Sequence, residues 1–212
     1  HHPSTSAMAV KSGRILALGD VEALHSFCDP QTQKVDLEGR FVMPGFIDSH
    51  LHPPGLALLD LYEVNLTGGK TMSDYLDIIR AFLAAHPDAP AIYGRGWSWA
   101  ALTGEEATRG PRKEQLDDIT TAVPIILRAY DGHTLWLNSA ALRQSNITSD
   151  TVSPAGGVIE HDPQSGKIWG TLKENAMRFV PLPEYTHEQY TEAIGLFQQK
   201  MHQFGITGIL AL

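Results

Sequence analysis

Apolar residues recur along this chain with two periods. Short alternating or continuous runs between turn residues mark strands, and i, i+3, i+4 spacing marks helices. Met8 to Leu18 predicts a hairpin that turns at Ser12-Gly13 and ends at Gly19-Asp20. Val21 to Phe27 predicts a short helical turn, and Lys34 to Leu37 a further strand closed by the turn Glu38-Gly39-Arg40. The run Phe41 to His52 predicts an apolar strand that leaves this small β unit.

Thr71-Met72-Ser73-Asp74 has the spacing of a capping box, and Tyr75, Ile79, Phe82 and Leu83 share one helical face as far as Pro87. Ala91-Ile92-Tyr93 is a short strand leading into Gly94-Arg95-Gly96-Trp97. Pro111 to Asp118 predicts a helix start, Pro124 to Tyr130 a buried strand, and Asn138 to Arg143 a short helix. Ser145 to Gly170 is rich in Gly, Pro, Ser and Asp and predicts a loop. Leu172 to Val180 predicts a helix stopped by Pro181 and Pro183. Thr186 caps a long amphipathic helix with Tyr190, Ile194, Phe197 and Met201 in one stripe; Gly205 ends it, and Ile206 to Leu212 begins a last strand. Strands alternating with helices predict an α/β fold with a parallel sheet. No internal repeat is visible.

Composition narrows the class. The chain has 212 residues, 42% hydrophobic and 19% charged, which suits one large domain, or one plus a small one, around a sizeable core. A net charge of -8 without any basic stripe excludes a nucleic-acid partner. No apolar run approaches a membrane span and no signal peptide is visible. The single cysteine, Cys28, excludes an internal disulfide framework and points to a reducing, cytoplasmic compartment. With no basic neighbour in sequence, Cys28 reads as buried rather than reactive. The sequons at Asn65 and Asn146 then read as chance matches, and His1-His2 carries no weight.

The candidate chemistry begins at His50 and His52. Side chains alternate along a strand, so these two imidazoles point one way and Leu51 the other. Paired imidazoles at a strand end are poor core filler and good ligands for a divalent metal, zinc by preference. The plain alternative is two surface histidines. Asp48, on the same face as His50, either orients a ligand or is an ordinary strand-end polar residue. Asp131-Gly132-His133 follows a second apolar strand. His133 there either meets a substrate or metal or belongs to a simple turn. Lys173-Glu174 opens the helix predicted after a glycine-rich loop, and exposed helix charge is the base expectation for both. Trp97, Trp99 and Trp136 flank loop signals and either line an apolar pocket or pack the core. Neither a phosphate-binding GxxxxGK[ST] loop nor a GxSxG elbow occurs.

Three stretches together resemble a known family. Ala9 to Gly19, Val35 to Arg40 and Met43-Pro44-Gly45-Phe46-Ile47-Asp48-Ser49-His50-Leu51-His52 look like the opening of the amidohydrolase superfamily. Tyr93-Gly94-Arg95-Gly96-Trp97, Leu127 to Leu142 and Gly170 to Ala176 resemble its amidohydrolase-3 group, which includes N-substituted formamide deformylases and YtcJ-like proteins. The resemblance implies a partial metal-dependent (β/α)8, TIM-like barrel beside a small β-sandwich. Residues 1–43 would be part of the sandwich and 44–212 the start of the barrel, with an insertion at about 91–180 over the active-site mouth. His50 and His52 would hold the metal at the end of the first barrel strand. His133 and Glu174 would face substrate or metal from the insertion, and Lys173 is a candidate carboxylated bridging ligand. The implied reaction is hydrolysis of a non-peptide, amide-type C–N bond in a small molecule.

The chain also departs from that pattern. The family's bridging lysine, two further histidines and catalytic aspartate lie on later barrel strands, and no position here matches them. The chain therefore reads as a truncated piece whose parent would carry one or two metal ions. Alone it would bind metal weakly or not at all and would be inactive. Two barrel strands cannot close a barrel, so exposed strand edges predict self-association. Two other classes stand beside this reading: a non-catalytic binding or oligomerising module, and a deaminase-type metal hydrolase.

Overall fold

The computed structural model describes residues 5–211. His1 and His2, and Leu212 at the end of the last predicted strand, lie outside the described residues. The chain divides into two compact units, His1–Pro44 and Gly45–Leu212.

The first unit holds strands β1 (Ala7–Lys11) and β2 (Arg14–Gly19), which pair antiparallel. Ser12 and Gly13 both have positive φ, 52° and 72°. That is the mirror-image turn whose twist suits a two-residue hairpin. Asp20 accepts a hydrogen bond from the Ala23 N–H at 2.7 Å and so caps the short helix α1 (Val21–Leu24). The turn predicted at Glu38-Gly39-Arg40 forms, with the Arg40 N–H donating to the Leu37 carbonyl at 2.9 Å. The strand predicted at Lys34–Leu37 does not, and Val35 and Leu37 are exposed. An alternating pattern supplies side-chain faces but no backbone partner, and no described strand pairs with this segment.

The second unit runs β3 (Phe46–Leu51), α2 (Ala57–Tyr62), β4 (Val64–Asn65), α3 (Met72–Ala85), β5 (Ile92–Trp97), α4 (Glu106–Arg109), α5 (Lys113–Asp117) and β6 (Ile125–Ala129). It continues with β7 (Thr134–Leu137), α6 (Ser139–Gln144), β8 (Gly157–His161), β9 (Ile168–Glu174), α7 (His187–Gln203) and β10 (Ile206–Ala211). Capping boxes form at Thr71/Asp74 and Thr186/Gln189, the first as the sequence predicts. No helix among the described residues is long and apolar enough to cross a membrane.

A six-stranded sheet has the order β4-β5-β6-β7-β9-β8, and a separate two-stranded sheet pairs β3 with β10 in parallel. The large sheet is mixed rather than parallel throughout. Its first three strands are parallel, while the pairs β6/β7, β7/β9 and β9/β8 are antiparallel. The chain reverses at once at Gly132, whose φ of 81° favours glycine, so β7 returns alongside β6 without a crossover. Two further expectations fail here. Ser145–Gly170 contains strand β8 and the start of β9, and Leu172–Val180 is the end of β9 followed by a 3-10 turn, Asn175–Phe179. The turn-forming residues cluster at Asp162–Gly166, between the two strands, while Trp169 and Leu172 are buried against their neighbours. Cross-strand burial here outweighs local propensity.

The sheet separates two apolar layers. Ile125 and Leu127 of β6 face a core that includes Tyr75, Ile79, Trp97 and Trp136, while Ile126 faces Leu135, Leu142, Ile159 and Leu172. A third cluster joins α2 and α7 through Ala57, Leu58, Ala193 and Phe197. The stripe predicted on α7 is only half used. Tyr190 and Ile194 are 43% and 48% exposed, because the short helix α2 covers only the flank that carries Ala193 and Phe197.

Asn138 pins this arrangement from inside. Its Oδ1 accepts from the Ile125 N–H (3.0 Å) and the Ala141 N–H (2.9 Å), and its Nδ2 donates to the carbonyls of Thr120 (2.9 Å) and Val123 (2.8 Å). Removing these bonds strands several buried backbone groups. Asn138→Ala should cost about 3–5 kcal/mol in urea unfolding followed by circular dichroism, against about 1 kcal/mol for loss of an ordinary helix cap. Asp162 gives a pH signature. Hydrogen bonds from the Ser165 N–H and from Arg112 lead in holding its carboxyl down at about 2. A folded-state value below the ordinary one favours the native state fully above about pH 4 and loses that effect as pH falls toward 2. The difference in thermal midpoint between Asp162→Asn and the parent should therefore be constant above about pH 4 and shrink below it.

Candidate active site

The first candidate group stands at the end of β3. β10 fixes that strand in parallel register, Ile206 beside Phe46 and Ile209 beside Asp48. A Cβ at Gly45 would collide with the Thr207 side chain, which gives the Pro-Gly before the strand a steric reason. Leu51 turns inward to the α2/α7 cluster, and His50 and His52 are both exposed. Their rings lie 5.2 Å apart, edge to face at 89°. Asp48 does not orient an imidazole: its Oδ1 accepts the His50 backbone N–H at 3.0 Å and braces the strand end. Two imidazoles suit a divalent ion in kind. No group of three or more His, Cys, Asp or Glu side chains placed to hold a metal occurs among the described residues. The donor set therefore stops at two.

The second group forms where β7 runs beside β9. Thr134 pairs with Lys173, and the Glu174 N–H donates to the His133 carbonyl at 2.9 Å. That register brings His133 Nδ1 to 3.2 Å from Glu174 Oε2 across 41 residues of sequence. Both side chains are exposed and line a cleft of about 500 Å³ with Arg128, Met177, Arg178 and Val180. Asp131 orders the turn before them, accepting from the His133 N–H at 2.9 Å and from Trp99 Nε1 at 3.0 Å. Glu174 ends a strand rather than opening a helix, with φ 51° and ψ −126°. Lys173 points elsewhere, donating to Glu160 at 2.7 Å and to the Thr108 carbonyl at 2.8 Å.

A second cleft of about 350 Å³ shares Arg128, Met177, Val180 and Leu182 with the first, and adds Glu63, Tyr93, Arg95 and Tyr185. The Tyr185 hydroxyl donates to Glu63 at 2.6 Å; burial first, and then that bond, push its phenol above the ordinary range. No tryptophan lines either cleft. Trp97 and Trp136 are core residues whose indoles donate to the carbonyls of Leu127 (3.1 Å) and Arg112 (2.9 Å). The structure thus brings His50 to His52, and His133 to Glu174, while neither cleft includes the first pair. Sequence reading missed Arg128, Arg178 and Glu63. Arg128 had a signal: it is the one charge in the apolar run Ile125-Ile126-Leu127-Arg128-Ala129.

The amidohydrolase family profile (Amidohydro_3) matches residues 33–211. The chain is 32% identical over 212 residues to the exoenzymes regulatory protein AepA of Pectobacterium carotovorum, a match covering 98% of this chain and 45% of that protein. It is 30% identical over 210 residues to the N-substituted formamide deformylase of Arthrobacter pascens, covering 96% of this chain and 38% of that enzyme. Its fold resembles the crystal structure of an uncharacterized metal-dependent hydrolase from Pyrococcus horikoshii. The TM-score is 0.64 at 22% identity, over 97% of this chain and 38% of the other. The chain spans less than half the length of these relatives. With its mixed α/β fold and a family match over most of its length, this chain belongs to the amidohydrolase family.

Proposed function

We propose that this chain is part of a metal-dependent amidohydrolase that hydrolyses a non-peptide, amide-type C–N bond in a small molecule. The observation that carries the reading is the pair of exposed imidazoles, 5.2 Å apart at the end of β3, in a chain of this family. On this reading β3 and β10 are the first two strands of a (β/α)8 barrel, with α7 leading into the second. The hairpin unit is part of a small β-sandwich, and residues from about 91 to 180 are an insertion at the barrel mouth. Parallel pairing of β3 with β10 supports it, as does the position of α7 directly before β10. Phe46, Ile47 and Leu210 are exposed. Apolar side chains exposed on both faces of this two-stranded sheet belong against further packing and favour self-association of the chain on its own.

His50 and His52 would hold the ion, zinc by the chemistry of the donors. When bound, a divalent ion supplies a readily deprotonated water and polarises the carbonyl to be attacked. His133 and Glu174 take the substrate side. A carboxylate only accepts, so facing Glu174 the Nδ1 of His133 would serve as the donor, and in the neutral ring Nε2 would be left to accept a substrate N–H. Glu174 holds this position at φ 51° and ψ −126°, a backbone region that only glycine adopts without strain. Strain of that kind collects where a side chain has work to do.

Zinc titrated calorimetrically into the 212-residue chain should bind more weakly than about 1 µM, and not measurably after His50→Ala or His52→Ala; a tight site that survives both changes refutes the assignment. In a longer protein that carries this chain, His50→Ala should lower kcat/KM on an N-substituted formamide by more than about a hundredfold. Unchanged turnover there would remove His50 from the centre. Glu174→Gly should raise unfolding stability by about 1 kcal/mol through relief of strain, whereas Glu174→Gln, which keeps the strain and loses only an exposed pair, should stay within about 0.5 kcal/mol.

A further inference from the structure

Arg95 of β5 and Arg128 of β6 are direct partners in the parallel register. Like charges opposed on neighbouring strands cost stability unless something neutralises them. Arg95 is neutralised by Asp60, which accepts from it at 2.7 Å and from Lys200 at 2.6 Å. That carboxylate already serves two cations. Among the described residues no carboxylate pairs with Arg128, or with Arg178 across the first cleft. The two glutamates in the clefts are engaged elsewhere, Glu174 by His133 and Glu63 by Tyr185. Acidic residues are not scarce: the chain has 24 Asp and Glu against 16 Lys and Arg. An exposed guanidinium beside a second one, at the wall common to both clefts, is a binding group without a partner among the described residues. The rest of that common wall is apolar, formed by Met177, Val180 and Leu182.

We propose that Arg128 binds the carboxylate of a small molecule whose apolar body lies along Met177, Val180 and Leu182. The planar guanidinium fork matches a carboxylate with two parallel hydrogen bonds, and the apolar wall selects an organic acid over a bare oxyanion. On the function proposed above, this is the acidic end of the substrate, and it restricts the enzyme to amides that carry a carboxylate. That last step rests on the hydrolase reading; the binding itself does not.

Hexanoate and hexanamide share a chain length and differ in charge. Each would be titrated into the 212-residue chain in EDTA and followed through the arginine Nε–H signals by NMR. Hexanoate should saturate and shift the Arg128 signal, and hexanamide should bind at least about tenfold more weakly. Arg128→Gln should remove that preference and leave the weak binding of hexanamide unchanged. Inorganic phosphate should compete less well than hexanoate. Equal affinity for acid and amide overturns the proposal, as does phosphate binding as tightly as hexanoate, or a folded Arg128→Gln chain that binds hexanoate like the parent. If that variant does not fold, the acid–amide comparison on the parent decides. EDTA keeps the result independent of His50 and His52: hexanoate binding by this chain, together with turnover unchanged by His50→Ala in a longer protein that carries it, refutes the metal centre alone.

Discussion

A strand with every side chain buried has to be hydrogen-bonded along both edges, and β7 is such a strand. Thr134, Leu135, Trp136 and Leu137 are all buried, with β6 on one side and β9 on the other. Orphaned backbone groups at that depth would each cost a lost hydrogen bond or more. The return of β9 from distant sequence is therefore a requirement of β7 and not an accident of the loop. From it follow the mixed direction of the sheet, the division of the core into two layers, and the meeting of His133 with Glu174. Asn138, at the exit of β7, ties the same strand to the start of β6 and to α6.

Elements whose signal is local were legible in the sequence. The capping box at Thr71 forms, the Ser12-Gly13 turn closes its hairpin, and the continuous apolar run at Ile125 becomes a buried strand. Elements defined by a distant partner were not. Lys34–Leu37 has an acceptable pattern and pairs with no edge among the described residues. The segment around Trp169 has turn residues before it and a stop signal after it, yet it lies between β7 and β8 because both its neighbours need it. The α7 stripe failed for a related reason. Helical period identifies an apolar face, but the width of that face that is covered depends on the partner, and α2 is six residues long.

The site divides along the same line. The period of two along an extended chain was enough to place His50 and His52 side by side, because residues two apart share a face. For Glu174 the local reading as helix charge was wrong in secondary structure. Its place beside His133 comes from the β7/β9 register, which no pattern around either residue encodes. Asp48 is the converse case: its spacing suggested a role toward the imidazole, and a backbone hydrogen bond two residues on satisfies it locally.

Natural sequences are locally consistent with their folds except where function holds them otherwise. Around the first cleft three inconsistencies fall within one turn-and-strand neighbourhood. Glu174 occupies a backbone region suited to glycine, Arg128 is a charge on an apolar strand opposite another arginine, and His133 and Glu174 are exposed where a turn alone would not need them. Strain of this kind costs roughly 1–3 kcal/mol, and an exposed pair such as His133–Glu174 returns less than about 1 kcal/mol. Neither feature is held by its own stability. Both persist because β7, locked on two edges and at its end by Asn138, leaves the chain no cheaper path at that corner. A rigid, fully paired strand beneath a strained and charged rim is what a binding site would require of its scaffold: the geometry of the rim is over-determined by the packed core beneath it.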